Sequence, residues 1–142
     1  MTWKLPGKLP RLLRNLAEIP SHASREIAER LEERVFDCFA NEADPYGTPW
    51  APLAESTVRR KGGNSVILYR TGRSMIEAGA RTLSGGGVAL VAGGASGYHM
   101  AASGTRPARP VLPTHGLPPA WREDIAAVLG AEYARAMGRA SR

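Results

Sequence analysis

The chain has 142 residues, 43% of them apolar, and a formal charge of +6 from 19 Lys and Arg against 13 Asp and Glu. That length suits one domain burying roughly two-thirds of its unfolded surface, yet Ala-rich apolar content and only two Phe predict a thin core. One cysteine excludes an intrachain disulfide, no stretch reaches the ~18 apolar residues of a membrane span, and no signal-peptide run opens the chain, so synthesis in the cytoplasm is expected.

The charge is unevenly placed. Residues 1–17 carry Lys4, Lys8, Arg11 and Arg14 with no acid. Residues 18–44 hold eight acids against three bases, and from residue 45 onward twelve bases face five acids. An acidic zone beside basic ones favours head-to-tail self-association or a place near DNA.

Residues 1–20 read as a basic arm. Pro6, Gly7, Pro10 and Pro20 bracket a short amphipathic segment with Leu12, Leu13 and Leu16, which is expected to order against a partner. A helix is predicted over 24–41, capped by Ser21 or Ser24. Its apolar face repeats at Ile27, Leu31, Val35 and Phe39, flanked by Ala28, Phe36 and Cys38, and Glu26 pairs with Arg30 on the other side.

Residues 42–65 then form a long Pro-rich ordered loop. Pro45, Pro49 and Pro52 forbid a regular element, while Tyr46, Trp50 and Leu53 give it something to bury. Trp50 is expected to be buried in its own subunit or against the next. Ser56–Lys61 adds a helical turn. A further helix is expected from Thr71 to about Ala80, with Met75, Ile76 and Gly79 toward the core.

A hairpin follows, with strands at 80–83 and 88–92 about the turn Ser84-Gly85-Gly86-Gly87. Tyr98 to Ala102 suggests one helical turn. Thr105-Arg106-Pro107-Ala108-Arg109-Pro110-Val111-Leu112-Pro113 is extended, and its prolines confine it to an edge strand. The last helix spans 119–138, starting at Pro119 and stopping at Gly138. Its expected apolar stripe is Trp121, Ile125, Val128 or Leu129, Tyr133 and Met137.

Catalytic chemistry finds no support. His22, His99 and His115 lie outside metal-ligand spacing of one another, and Cys38 stands alone on an apolar helix face. The glycine run lacks the Lys and Ser/Thr of a phosphate-binding loop. No catalytic, cofactor or metal residue is assigned. Composition leaves one other class open: a nucleic-acid-binding accessory protein using its basic arm and loops, with Tyr46, Trp50 and Tyr69 interleaved among Arg59, Arg60 and Arg70.

The segment Asp44-Pro45-Tyr46-Gly47-Thr48-Pro49-Trp50-Ala51-Pro52-Leu53, followed by Ser56-Thr57 and Lys61, resembles the hallmark of the phage virion morphogenesis family of tail-completion proteins. Leu68-Tyr69-Arg70-Thr71-Gly72, the glycine hairpin, Tyr98-His99 and Arg109-Pro110-Val111-Leu112-Pro113 follow in the family's order over about residues 24–138. His99 here follows Tyr98 directly where the family spaces the two, and the first twenty residues have no counterpart in the pattern.

The resemblance implies a single α+β domain over 21–142, with a small antiparallel sheet packed against an N-terminal and a C-terminal helix. It also implies a structural protein without catalysis or cofactor, located in the virion at the head–tail interface. There it would form a homo-oligomeric, hexameric ring for tail completion or tail termination, touching the tail tube protein and head-connector proteins, with DNA in the channel. Candidate interaction residues are Tyr46, Trp50, Leu12, Leu13, Leu16, Arg106 and Arg109.

Overall fold

The computed structural model describes residues 15–68 and 73–141. Two long helices and one hairpin build the framework. Helix α1, Ile19–Asn41, and helix α5, Pro119–Ser141, are 23 residues each. Between them lie the short helices α2 (Glu55–Arg60), α3 (Arg73–Glu77) and α4 (Gly94–Tyr98), and strands β1 (Ala78–Thr82) and β2 (Val88–Ala92). The sheet is two-stranded and antiparallel, with Gly79 opposite Val91 and Arg81 opposite Ala89. The α+β class and the two-helix arrangement follow the expectation.

Helix α1 begins earlier than the spacing suggested. Pro20 sits in its first turn, where a missing N–H costs nothing, so this proline starts the helix rather than stopping the chain before it. Neither Ser21 nor Ser24 caps it: the N-cap is Glu18, without a side-chain bond, and residues 15–17 are helical as well. Ser24 instead bonds back to the Pro20 carbonyl and accepts the Gly87 N–H at 2.7 Å, tying the hairpin turn to the start of α1. The helix ends at Glu42, whose left-handed backbone (φ 48°) directs its N–H to the carbonyls of Cys38 and Phe39.

Ala28, Leu31, Val35, Cys38 and Phe39 of α1 enter the core with Trp50, Ile67, Ala78, Ala80, Val111 and Trp121. Ile27 is partly buried against them and Phe36 stays largely exposed. Helix α5 lies antiparallel to α1: Asn15 donates to the Ala136 carbonyl, His22 approaches Glu132 at 4.0 Å, and Arg34 bonds Asp124 through two nitrogens, at 2.7 and 3.3 Å.

Four expectations are corrected. The helix predicted from Thr71 to Ala80 ends at Glu77, because Ala78–Ala80 are already in β1; Ile76 points out, 77% exposed. The expected cap at Thr71 lies outside the described residues. The turn near Tyr98 runs earlier, over Gly94–Tyr98. The segment 105–113 is no edge strand: its one ladder contact is an isolated bridge between Ser103 and Arg106, the Pro110 carbonyl and the Arg109 side chain bond the loop at 42–53, and the Arg109 N–H donates to the His99 carbonyl.

The fourth correction concerns α5. The helix runs through Gly138 to Ser141, and it is rotated from the expected stripe. Trp121, Val128, Glu132 and Ala136 face inward, while Leu129, Tyr133 and Met137 face outward. Glu132 tolerates burial because Arg135 bonds its carboxylate and His22 stands near it.

Candidate interaction surface

The loop between α1 and α2 is built by local bonds before it touches anything else. Asp44 Oδ1 accepts the N–H groups of Tyr46 and Thr48, each at 2.9 Å. The Asp44 N–H reaches the Thr48 carbonyl at 2.8 Å, and Gly47 closes the turn with φ 88°, a conformation that suits a residue lacking Cβ. Glu42 then works at three points. Beyond ending α1, its carbonyl accepts the Trp50 N–H at 2.8 Å, and its carboxylate accepts the Ile67 N–H at 2.8 Å.

A second segment, residues 106–118, is strapped across this loop. Trp50 is buried in its own subunit, edge-on to Phe39 with ring centroids 6.0 Å apart, and its indole N–H donates to the Pro110 carbonyl at 3.1 Å. Arg109 runs the other way. Buried at 6% exposure, it donates to the Ala51 carbonyl from Nε and from a terminal nitrogen, and to the Pro52 carbonyl at 3.1 Å. Burial, with Arg106 nearby, holds its pKa below the usual arginine value.

Tyr46 makes the third cross-link. Its ring stacks on His115 at 4.3 Å. Its hydroxyl accepts the His115 N–H at 2.9 Å and faces the His115 and Gly116 carbonyls, each at 2.8 Å. Sequence patterns placed Tyr46, Trp50 and Arg109 among candidate contacts; the structure brings all three together as one internal clasp.

Arg106 sits apart from that clasp. Its guanidinium lies 3.9 Å over the exposed Tyr98 ring and donates to the Tyr98 carbonyl at 2.7 Å. His99, lined up 3.5 Å from the same group, is held below the usual histidine range by burial and then by Arg106 and Arg109. Leu16 is half-buried; Leu12 and Leu13 lie outside the described residues.

Between the end of α1, the 43–49 turn and the start of α5 lies an open groove of about 440 Å³, bordered by Asp37 and Asp44. Cys38 lines it too, yet burial, with Asp44 and Asp37 nearby, pushes its thiol up to about 12, so it is held as an inert thiol. Among the described residues no cluster of His, Cys, Asp or Glu could hold a metal ion, and no helix is long and apolar enough to cross a membrane.

The surface that sequence reasoning missed is the outer side of α5. From Ile125 to Ala134 the single charged residue, Glu132, is turned inward at 4% exposure, while Leu129 and Tyr133 stand 41% and 53% exposed. Periodicity could not reveal this, since Glu132 and Tyr133 are adjacent and either hydrophobic stripe fits a helix.

A model of the phage virion morphogenesis family matches residues 4–133. The chain belongs to that family. The match carries the family pattern back through residue 4, so most of the first twenty residues lie within it, contrary to the expectation that they have no counterpart. No curated protein and no solved structure matches the chain. Membership assigns this phage virion morphogenesis protein a role in building the phage particle. The clasp supplies the physical reason for the hallmark segment: its Asp, Gly, Pro and Trp positions hold a loop in one shape.

Proposed function

We propose that this chain is a subunit of an oligomeric ring completing the phage tail at the head–tail joint, in contact with the tail tube and head-connector proteins. The observation that carries the proposal is the inverted outer face of α5, where Glu132 is buried and Leu129 and Tyr133 are left to solvent. An exposed apolar strip flanked by polar residues marks a protein contact. A heterologous contact whose rotation closes gives a ring. Membership in a virion morphogenesis family supports reading that contact as one made during virion assembly. Trp50, one of the aromatics offered for stacking on nucleic acid, is committed inside the fold, while Arg59 and Arg60 stay exposed.

The test is a phage lacking the protein, complemented in trans. Loss should leave mature heads beside separate tails, or tails of uncontrolled length, in micrographs. The wild-type chain restores joined virions, while Leu129→Glu with Tyr133→Glu, folded by circular dichroism, does not. Normal virions formed without the protein would refute the reading.

A further inference from the structure

Strand β2 reads Val88-Ala89-Leu90-Val91-Ala92, with no charge and no proline. A continuous apolar run is the composition of a strand with both faces covered, and all five residues are half-buried. Among the described residues β2 has β1 on one side only.

The register shows which backbone groups are left over. The ladder is closed by the Leu83 N–H to the Gly87 carbonyl at 3.0 Å and by the Gly93 N–H to the Glu77 carbonyl at 3.1 Å. With Gly79 opposite Val91 and Arg81 opposite Ala89, the polar groups of Ala89 and Val91 point toward β1. Those of Val88, Leu90 and Ala92 point away. At the Ala92 end α4 closes the edge, since a Cβ on Gly97 would lie 2.6 Å from the Ala92 oxygen. Among the described residues no partner bonds the outward N–H and C=O of Val88 and Leu90. On the far strand Ala78, Gly79 and Ala80 are buried, which leaves only the Thr82 end of β1 exposed, while Val88 and Leu90 of β2 are half-buried.

Natural sheets blunt such an edge with lysine, proline, a bulge, a short strand or a covering helix. β2 has no lysine, proline or bulge, and α4 covers only its Ala92 end. We propose that the free protein pairs through this edge with a second copy, β2 antiparallel to β2, about a two-fold axis at Ala89. Val88 then faces the partner subunit's Leu90, and the same exchange repeats across the axis, giving four intersubunit hydrogen bonds. A second copy is the fitting occupant because its own edge is equally unfilled. The strand carries no charge that would repel its copy. The resulting four-stranded sheet passes the size at which a hairpin becomes independently stable. This contact is isologous and closes on itself. It is distinct from the ring contact proposed above and does not rest on it.

The experiment combines solution mass over a concentration series with hydrogen exchange read amide by amide. A concentration-dependent dimer is expected. The Val88 and Leu90 amides should exchange slowly in the dimer and fast on dilution, while Ala89 and Val91, bonded to β1, stay slow throughout. Val88→Pro removes an outward N–H and leaves the ladder intact; it should raise the dimer dissociation constant about tenfold or more. Should that variant fail to fold, the wild-type exchange pattern decides alone. A monomer at every concentration, or a dimer in which Val88 and Leu90 exchange as fast as after dilution, overturns the proposal. Neither result touches the ring, which is tested on virions.

Discussion

Trp50 shows how one residue of the hallmark segment holds a loop that has no regular structure of its own. Its ring fills core space against Phe39, and its indole N–H satisfies the Pro110 carbonyl. Trp50→Ala removes both and opens a cavity, so it should cost about 3–5 kcal/mol in denaturant unfolding. Trp50→Phe keeps most of the ring and loses the bond, so it should cost less, about 1–3 kcal/mol for the unpaired buried carbonyl. Equal stability of Trp50→Ala and wild type would show that the loop is held by Tyr46 and Arg109 instead. That Trp50 would be buried was legible from an aromatic pinned between Pro49 and Pro52. That Arg109 would be buried with it was not, because its partners are backbone carbonyls at Ala51 and Pro52, nearly sixty residues away. No local pattern reports a bond of that range.

At the scale of elements, α1 was legible and α5 only in part. The face of α1 is settled by Leu31, Val35 and Phe39 in regular succession, with Glu26–Arg30 opposite. On α5 two apolar stripes compete. The decision between them rests on contacts with α1: Arg34 bonds Asp124, and His22 stands near Glu132, which Arg135 bonds from within α5. The first of these yields a pH prediction. The hydrogen bond from Arg34 holds Asp124 below its ordinary value of 3.8, with burial opposing and the charges of Arg34 and Arg30 assisting. A depressed folded-state value means stability present above the unfolded pKa and lost as pH falls through the folded one. Asp124→Asn should therefore cost about 1 kcal/mol at neutral pH, a figure kept low because Arg34 is partly solvated. It should also flatten the acid limb of stability below about pH 4. Chemical unfolding at pH 7 and pH 3 measures both; an unchanged acid limb would mean that the pair does not bind α1 to α5.

For the whole molecule, exposed acids and bases are both present for intersubunit contacts, with Arg25 among the acids of α1 and Glu55 and Glu123 exposed outside it. Glu29, Glu33 and Asp37 are exposed along α1, and Arg59, Arg60, Arg122 and Arg139 are exposed elsewhere. Charged and apolar contacts are therefore separable by salt. A ring whose neighbours meet acid to base weakens as the Debye length falls from about 10 Å at 0.1 M to about 3 Å at 1 M. A β2-to-β2 pair has no charge at its contact, and its apolar burial holds or strengthens in an excluded salt such as sulfate. Solution mass at low and high salt should then show the dimer persisting, and the ring with it, because the exposed Leu129 and Tyr133 carry the proposed ring contact. Leu129→Glu with Tyr133→Glu should abolish the ring at every ionic strength. Larger assemblies that dissolve at high salt would mean that acid-to-base contacts join the subunits instead. If the dimer dissolves first, its contact is electrostatic and does not lie along β2.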